Sequence, residues 1–135
     1  GGRFDHYLAP YYEREKAVGK IDFESAASIV EAFFKKMASV PRAFQNLTVG
    51  GYDSVDGYCC NDLTRIALRT SRKLRKDQPL LTLRWHPTMP ADLWEDILAL
   101  ITAGIGALLA TVLTVTGTKE STTPSGETFS NLLPE

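Results

Sequence analysis

A surplus of charge of either sign is missing from this 135-residue chain: 15 Lys and Arg stand against 16 Asp and Glu, for a formal net charge of -1. No long-range field then draws it to polyanions or anionic bilayers, so neither a nucleic-acid nor a membrane partner is expected of the chain as a whole. Cysteine is scarce. The two present, Cys59 and Cys60, are neighbours, and with no second pair they cannot assemble a four-ligand zinc site. They read as small buried residues in a reducing cytosol; a strained redox ring or half of a soft-metal site is the alternative. No bound metal is expected. A long apolar run is also lacking, because residues 97–115 are interrupted by Thr102, Gly104, Gly106, Thr111 and Thr114, which makes a poor spanning segment. The opening Gly1-Gly2-Arg3-Phe4-Asp5 has neither the positive nor the apolar stretch of an export signal, and a cytoplasmic location follows. It begins without Met, as a trimmed or excised segment would.

What is present is 44% hydrophobic residue content, enough for one core and so for one domain or part of one. Tyr7, Leu8, Tyr11, Tyr12 and Glu15 fall at helical spacing over residues 5–18, with Pro10 expected to kink or begin the helix and Gly19 to end it. Asp22 is placed to cap a second helix with Ala26, Val30, Phe33, Met37 and Val40 on its inner face, stopped by Pro41. Residues 44–49 read as a buried strand and residues 50–57 as a glycine- and aspartate-rich loop. Asn61 is a good cap for a third helix that turns Leu63, Ile66, Ala67, Thr70 and Leu74 inward and Arg65, Arg69, Arg72 and Lys76 outward.

Residues 80–85 form a second short apolar strand, with His86-Pro87 just past its end. Pro90 suits the first turn of a fourth helix, with Thr88 its cap, Leu93, Ile97, Leu100 and Ile101 inward, and Gly104 closing it. Residues 107–116 alternate loosely as a further strand before a polar tail to which no structure is assigned. Strands separated by helices predict an α/β fold with parallel pairing, an arc of an α/β barrel that is incomplete on its own. Two units are expected, residues 1–106 and a divergent strand with polar tail over 107–135.

Several stretches, in order, carry a resemblance. They are Gly2-Arg3-Phe4-Asp5-His6-Tyr7-Leu8-Ala9-Pro10-Tyr11-Tyr12, Phe44-Gln45-Asn46-Leu47-Thr48-Val49-Gly50-Gly51, Asn61-Asp62-Leu63, Gln78-Pro79-Leu80-Leu81-Thr82-Leu83-Arg84-Trp85-His86, and Gly104-Ile105-Gly106. Together they resemble the middle of glycyl radical enzymes of the pyruvate formate-lyase-like family, in the branch of dehydratases, decarboxylases and C–N lyases. The likeness implies a ten-stranded α/β barrel with the site inside it, and radical C–C, C–O or C–N cleavage of a small-molecule substrate. It also implies a glycyl radical installed by an S-adenosylmethionine-dependent activating enzyme as partner, and a parent protein that could be a homodimer.

The family's Cys-Val-Glu-like loop and Arg-Val-x-Gly-Tyr loop do not occur in this sequence, so no catalytic residue is transferred, and Cys59 and Cys60 are not given the thiyl role. A fragment inactive alone is the expectation. Substrate-binding candidates are Phe44 and Asn46 on the first strand and His86, which with Arg84 flanks the end of the second. A core Phe, a backbone-satisfying Asn and a turn His are the plain alternatives. Asp5 and His6 point different ways and make a poor dyad. A second reading is a small independent α/β module that binds an anionic partner through the basic helix over residues 61–76.

Overall fold

The computed structural model of the chain describes residues 2–41, 45–53, 57–58, 60–86, 89–103 and 109–112. Helix α1 (Phe4–Ala17) carries Asp5 in its first turn and Arg14 and Lys16 in its last, the charge order that suits a helix dipole. Pro10 lies inside this helix rather than beginning it. It withholds the bond that the His6 carbonyl would accept. Both sides of the gap are held from outside: Asp5 is fully buried, and the Tyr12 hydroxyl donates to Asp62 at 3.0 Å.

Helix α2 (Phe23–Ala38) starts where Asp22 accepts the Ser25 N–H at 2.7 Å. Its inner face is Ala26, Val30 and Phe34, and this corrects the sequence reading: Phe34 is 1% exposed and Phe33 42%. The i, i+4 stripe through 26, 30 and 34 is the one turned into the core. Phe33 sits a step away and stacks on the Phe4 ring with centroids 6.0 Å apart. Val40 is exposed as well.

Strand β1 (Asn46–Gly50) begins later than expected, and Phe44 lies outside the described residues. Where a loop was expected, β2 (Tyr52–Asp53) and β3 (Gly57–Tyr58) pair antiparallel. Helix α3 (Asp62–Leu74) opens on a reciprocal cap: Asn61 accepts the Thr64 N–H at 3.2 Å while Thr64 Oγ1 accepts the Asn61 N–H at 3.1 Å. Leu63, Ile66, Ala67 and Thr70 are buried as predicted. Strand β4 (Leu80–Trp85) matches its expected span. Helix α4 (Ala91–Thr102) has Pro90 as its cap residue rather than its first helical residue; Thr88 and Gly104 lie outside the described residues. Leu93, Ile97 and Leu100 face in, but Ile101 is 54% exposed, since it follows Leu100 by only one helical step.

β5 (Leu109–Val112) completes a three-stranded sheet of order β1-β4-β5, both pairings parallel. The register sets Asn46 beside Leu80 and Gly50 beside Arg84. Leu47, Val49, Leu81 and Leu83 join Ala26, Val30, Phe34, Ile66, Leu93 and Ile97 in one core cluster, so the helices bury one face of the sheet. Alternation along the strands puts Asn46, Thr48, Thr82 and Arg84 on the other face. The mixed α/β architecture with parallel pairing is as predicted.

Candidate functional site

The polar face of the sheet and the loops at its C-terminal end are where chemistry-bearing side chains gather, as they do in parallel α/β folds. Asp5 organises that end. Its Oδ2 accepts the Gly50 N–H at 2.6 Å and the Thr64 hydroxyl at 2.5 Å, Oδ1 accepts the His6 N–H at 2.9 Å, and its carbonyl accepts Asn61 Nδ2 at 3.3 Å. One carboxylate thus ties the start of α1 to the end of β1 and the cap of α3. Just before it, the Gly2 carbonyl accepts the Thr48 N–H at 3.1 Å, and Arg3 forms a parallel bridge with Thr48. Gly2 to Asp5 therefore saturate donors along the outer edge of β1, with a side-chain oxygen standing where a strand carbonyl would. Burial pushes the Asp5 carboxyl above its ordinary value, and the bonds from Thr64, Gly50 and His6 together with the charge of Arg3 oppose that rise.

Gly50 and Gly51 hold positive φ of 72° and 102°, and their missing side chains admit neighbours. A Cβ on Gly51 would lie 3.0 Å from Arg84 Cβ and 3.1 Å from its Nε, so the arginine stem rests against bare backbone. Next to it, Tyr52 and His86 stack with ring centroids 4.6 Å apart and planes 17° from parallel. Cys60 Sγ would be 3.2 Å from a Gly50 Cβ and packs against the core cluster, a placement that does not suit a substrate-facing thiyl. Cys59 lies outside the described residues.

Of the three substrate-binding candidates, Asn46 is exposed at the N-terminal end of β1, where its Oδ1 accepts the Thr82 hydroxyl at 2.9 Å. His86 follows the opposite, C-terminal end of β4. Asn46 pairs with Leu80, so six strand residues, or about 20 Å, separate Asn46 from His86, and the structure does not bring them together. Sequence reasoning missed the Tyr52 wall and the Gly51 seat for Arg84; the glycine pair after β1 was the available signal. Asp5 was dismissed as half of a dyad, and its role shows only once Gly50 and Thr64 arrive from elsewhere in the chain.

Three of the six basic residues of the 61–76 stretch have acidic partners among the described residues. Arg65 pairs with Asp92, Arg69 with Asp96 at 3.7 Å, and Lys73 with Glu31 at 2.5 Å, while Arg69 also lies over the Phe23 ring. Arg65 holds Asp92 below the usual carboxylate range, as Lys35 and Lys73 hold Glu31. Among the described residues no group of three or more His, Cys, Asp or Glu could hold a metal ion, and no helix is long and apolar enough to cross a membrane.

The profile of the pyruvate formate lyase-like family matches residues 1–111. The chain belongs to that family. A probable dehydratase of Escherichia coli is 30% identical over 123 residues, taking in 78% of this chain and 15% of the relative. A solved structure concerned with 1,2-propanediol dehydration in Roseburia inulinivorans superposes with a TM-score of 0.70 at 29% identity, over 78% of this chain and 15% of that one. A glycyl radical enzyme from Archaeoglobus fulgidus has the same fold over 75% of this chain and 15% of its own, with a TM-score of 0.65 at 23% identity. The chain spans about one seventh of the length of such relatives.

Proposed function

We propose that these residues are a stretch of the wall of a glycyl radical enzyme's ten-stranded α/β barrel, with the polar face of the β1-β4-β5 sheet turned toward the substrate. The observation that carries this reading is the sheet itself: three parallel strands with helices burying one face, and Asn46, Thr48, Thr82 and Arg84 set on the other. A barrel wall needs that asymmetry. On this reading the whole enzyme cleaves a C–C, C–O or C–N bond of a small metabolite by radical chemistry, acts in the cytoplasm, and works as a homodimer after an S-adenosylmethionine-dependent activating enzyme has installed the glycyl radical. His86 and Asn46 contact substrate at different depths of the cavity, and Phe44 helps wall it.

The chain supplies wall and not radical. Neither the Cys-Val-Glu-like nor the Arg-Val-x-Gly-Tyr loop occurs in it, so it is inactive alone. The alternative of a polyanion-binding module is weakened at Arg65, Arg69 and Lys73, which have acidic partners, and would have to rest on Arg72, Arg75 and Lys76. Reading several hundred codons on both sides of the coding segment tests the proposal. Frames that continue into both loops are the expected result; clean start and stop signals with neither loop in reach would overturn it.

A further inference from the structure

We propose that Arg84, with the Tyr52–His86 stack beside it, is a subsite for the head group of a small organic anion, a carboxylate or a sulfonate. The proposal rests on reading the polar sheet face as the substrate side and adds the charge class of what binds there. Arg84 is the last residue of β1's register on β4, opposite Gly50, at the end of the sheet where parallel folds place ligands. Among the described residues its guanidinium has no ion pair or hydrogen bond, in contrast to Arg65 and Arg69, which have acidic partners. Its stem does not swing freely: a Cβ at Gly51 would stand 3.0, 3.1 and 3.3 Å from its Cβ, Nε and Cδ, so the arginine lies along the glycine backbone. A pre-set planar fork is the donor that carboxylates and sulfonates bind two-pronged.

The second element is the wall. Gly51 seats Arg84 and the next residue, Tyr52, stacks on His86, two positions beyond Arg84. The two contacts come from consecutive residues of one segment, Gly51 and Tyr52, and from Arg84 and His86, whose backbones are about 7 Å apart for an extended chain, at the same end of the sheet. That gap suits an anionic head on the arginine with a short carbon body against the ring stack. Arg84 here is a binding residue and Gly51 a positioning residue for it.

The test is an NMR titration of the full chain with sodium acetate and, separately, sodium ethanesulfonate, at constant ionic strength set with sodium chloride, with ethanol as the uncharged control. The expected result is saturable shifts of the Arg84 Nε–H, the Gly51 amide and the His86 ring by at least one of the two salts, with a Kd on the order of 10 mM and none for ethanol. Arg84→Gln should weaken binding by about tenfold or more, and Arg84→Lys, which keeps the charge without the fork, should fall between. Flat wild-type curves, shifts that match those at exposed Arg14 and Arg72, or shifts that survive Arg84→Gln would each overturn the subsite. Native Val49 and Leu83 amide positions in the same spectra show that the sheet is intact, so a flat titration sinks the subsite alone, whereas the codon reading above decides the barrel proposal.

Discussion

Replacing Asp5 with alanine removes the common acceptor of three donors, two of them, the Gly50 N–H and the Thr64 hydroxyl, in buried bonds. Each buried donor left without a partner costs about 1–3 kcal/mol, so Asp5→Ala should lower stability by about 2–6 kcal/mol. That is a large share of the roughly 5–15 kcal/mol of an ordinary domain. Asp5→Asn keeps the shape, and its amide oxygen can take the Oδ2 position that both buried donors use. The loss should then be under about 1.5 kcal/mol. The two variants also differ in pH response. Because burial holds the Asp5 carboxyl above its ordinary value of 3.8, the folded state binds that proton more tightly than the unfolded state. The contribution of this group is therefore full below the unfolded value and is lost as pH rises through the folded one. Urea denaturation of wild type and Asp5→Asn across pH 3–7 reads this directly: relative to wild type, the asparagine variant should gain stability as pH rises through that window. A loss below about 0.5 kcal/mol for Asp5→Ala, or a wild-type minus Asp5→Asn difference flat with pH, would refute the reasoning.

Asp62 should behave with the opposite sign. Lys16 at 2.7 Å and the Tyr12 hydroxyl hold its carboxyl below the usual range, so its stabilising contribution is present above the unfolded value and lost as pH falls through the folded one; Asp62→Asn should flatten the acid limb of the melting profile. Asn61→Ala removes the α3 cap and should cost about 1–2 kcal/mol in urea titrations, with earlier hydrogen exchange at the Thr64 amide. Phe34→Ala should cost about 3–5 kcal/mol and Phe33→Ala much less, a contrast that calorimetry can resolve because only Phe34 is enclosed.

The elements that the sequence announced are those with local causes. Asn61 and Asp22 name their own helix starts, because a short oxygen-bearing side chain caps the backbone two or three residues on. The run from Leu80 to Trp85 could be read to the residue, being apolar and bounded by Pro79 and the His86-Pro87 pair. Phe33 against Phe34 could not: adjacent rings share one composition, and only the crossing of α2 with α3 decides which is enclosed. The β2–β3 hairpin, with two residues in each strand, carries too little periodicity to show.

The site was legible in part for the same reason. His86 and Arg84 were visible because strand ends are where parallel folds build sites, and Asn46, chosen on the same rule, lies at the opposite end of the sheet from them. Asp5 was invisible as a hub because its partners Gly50 and Thr64 are 45 and 59 residues away. The acidic partners of Arg65, Arg69 and Lys73 on α3 were not legible because Asp92, Asp96 and Glu31 reach them from other helices.

The central claim, that this chain is a working piece of a glycyl radical barrel, is tested most directly in a chimera. The chain would replace the matched segment of the Escherichia coli relative, and the product would be activated without oxygen and read by electron paramagnetic resonance. A glycyl radical signal in the chimera comparable to that of the unaltered relative, and none from the chain alone, is the predicted result. A folded chimera in which the unaltered relative takes up the radical and the substituted one does not would contradict the account.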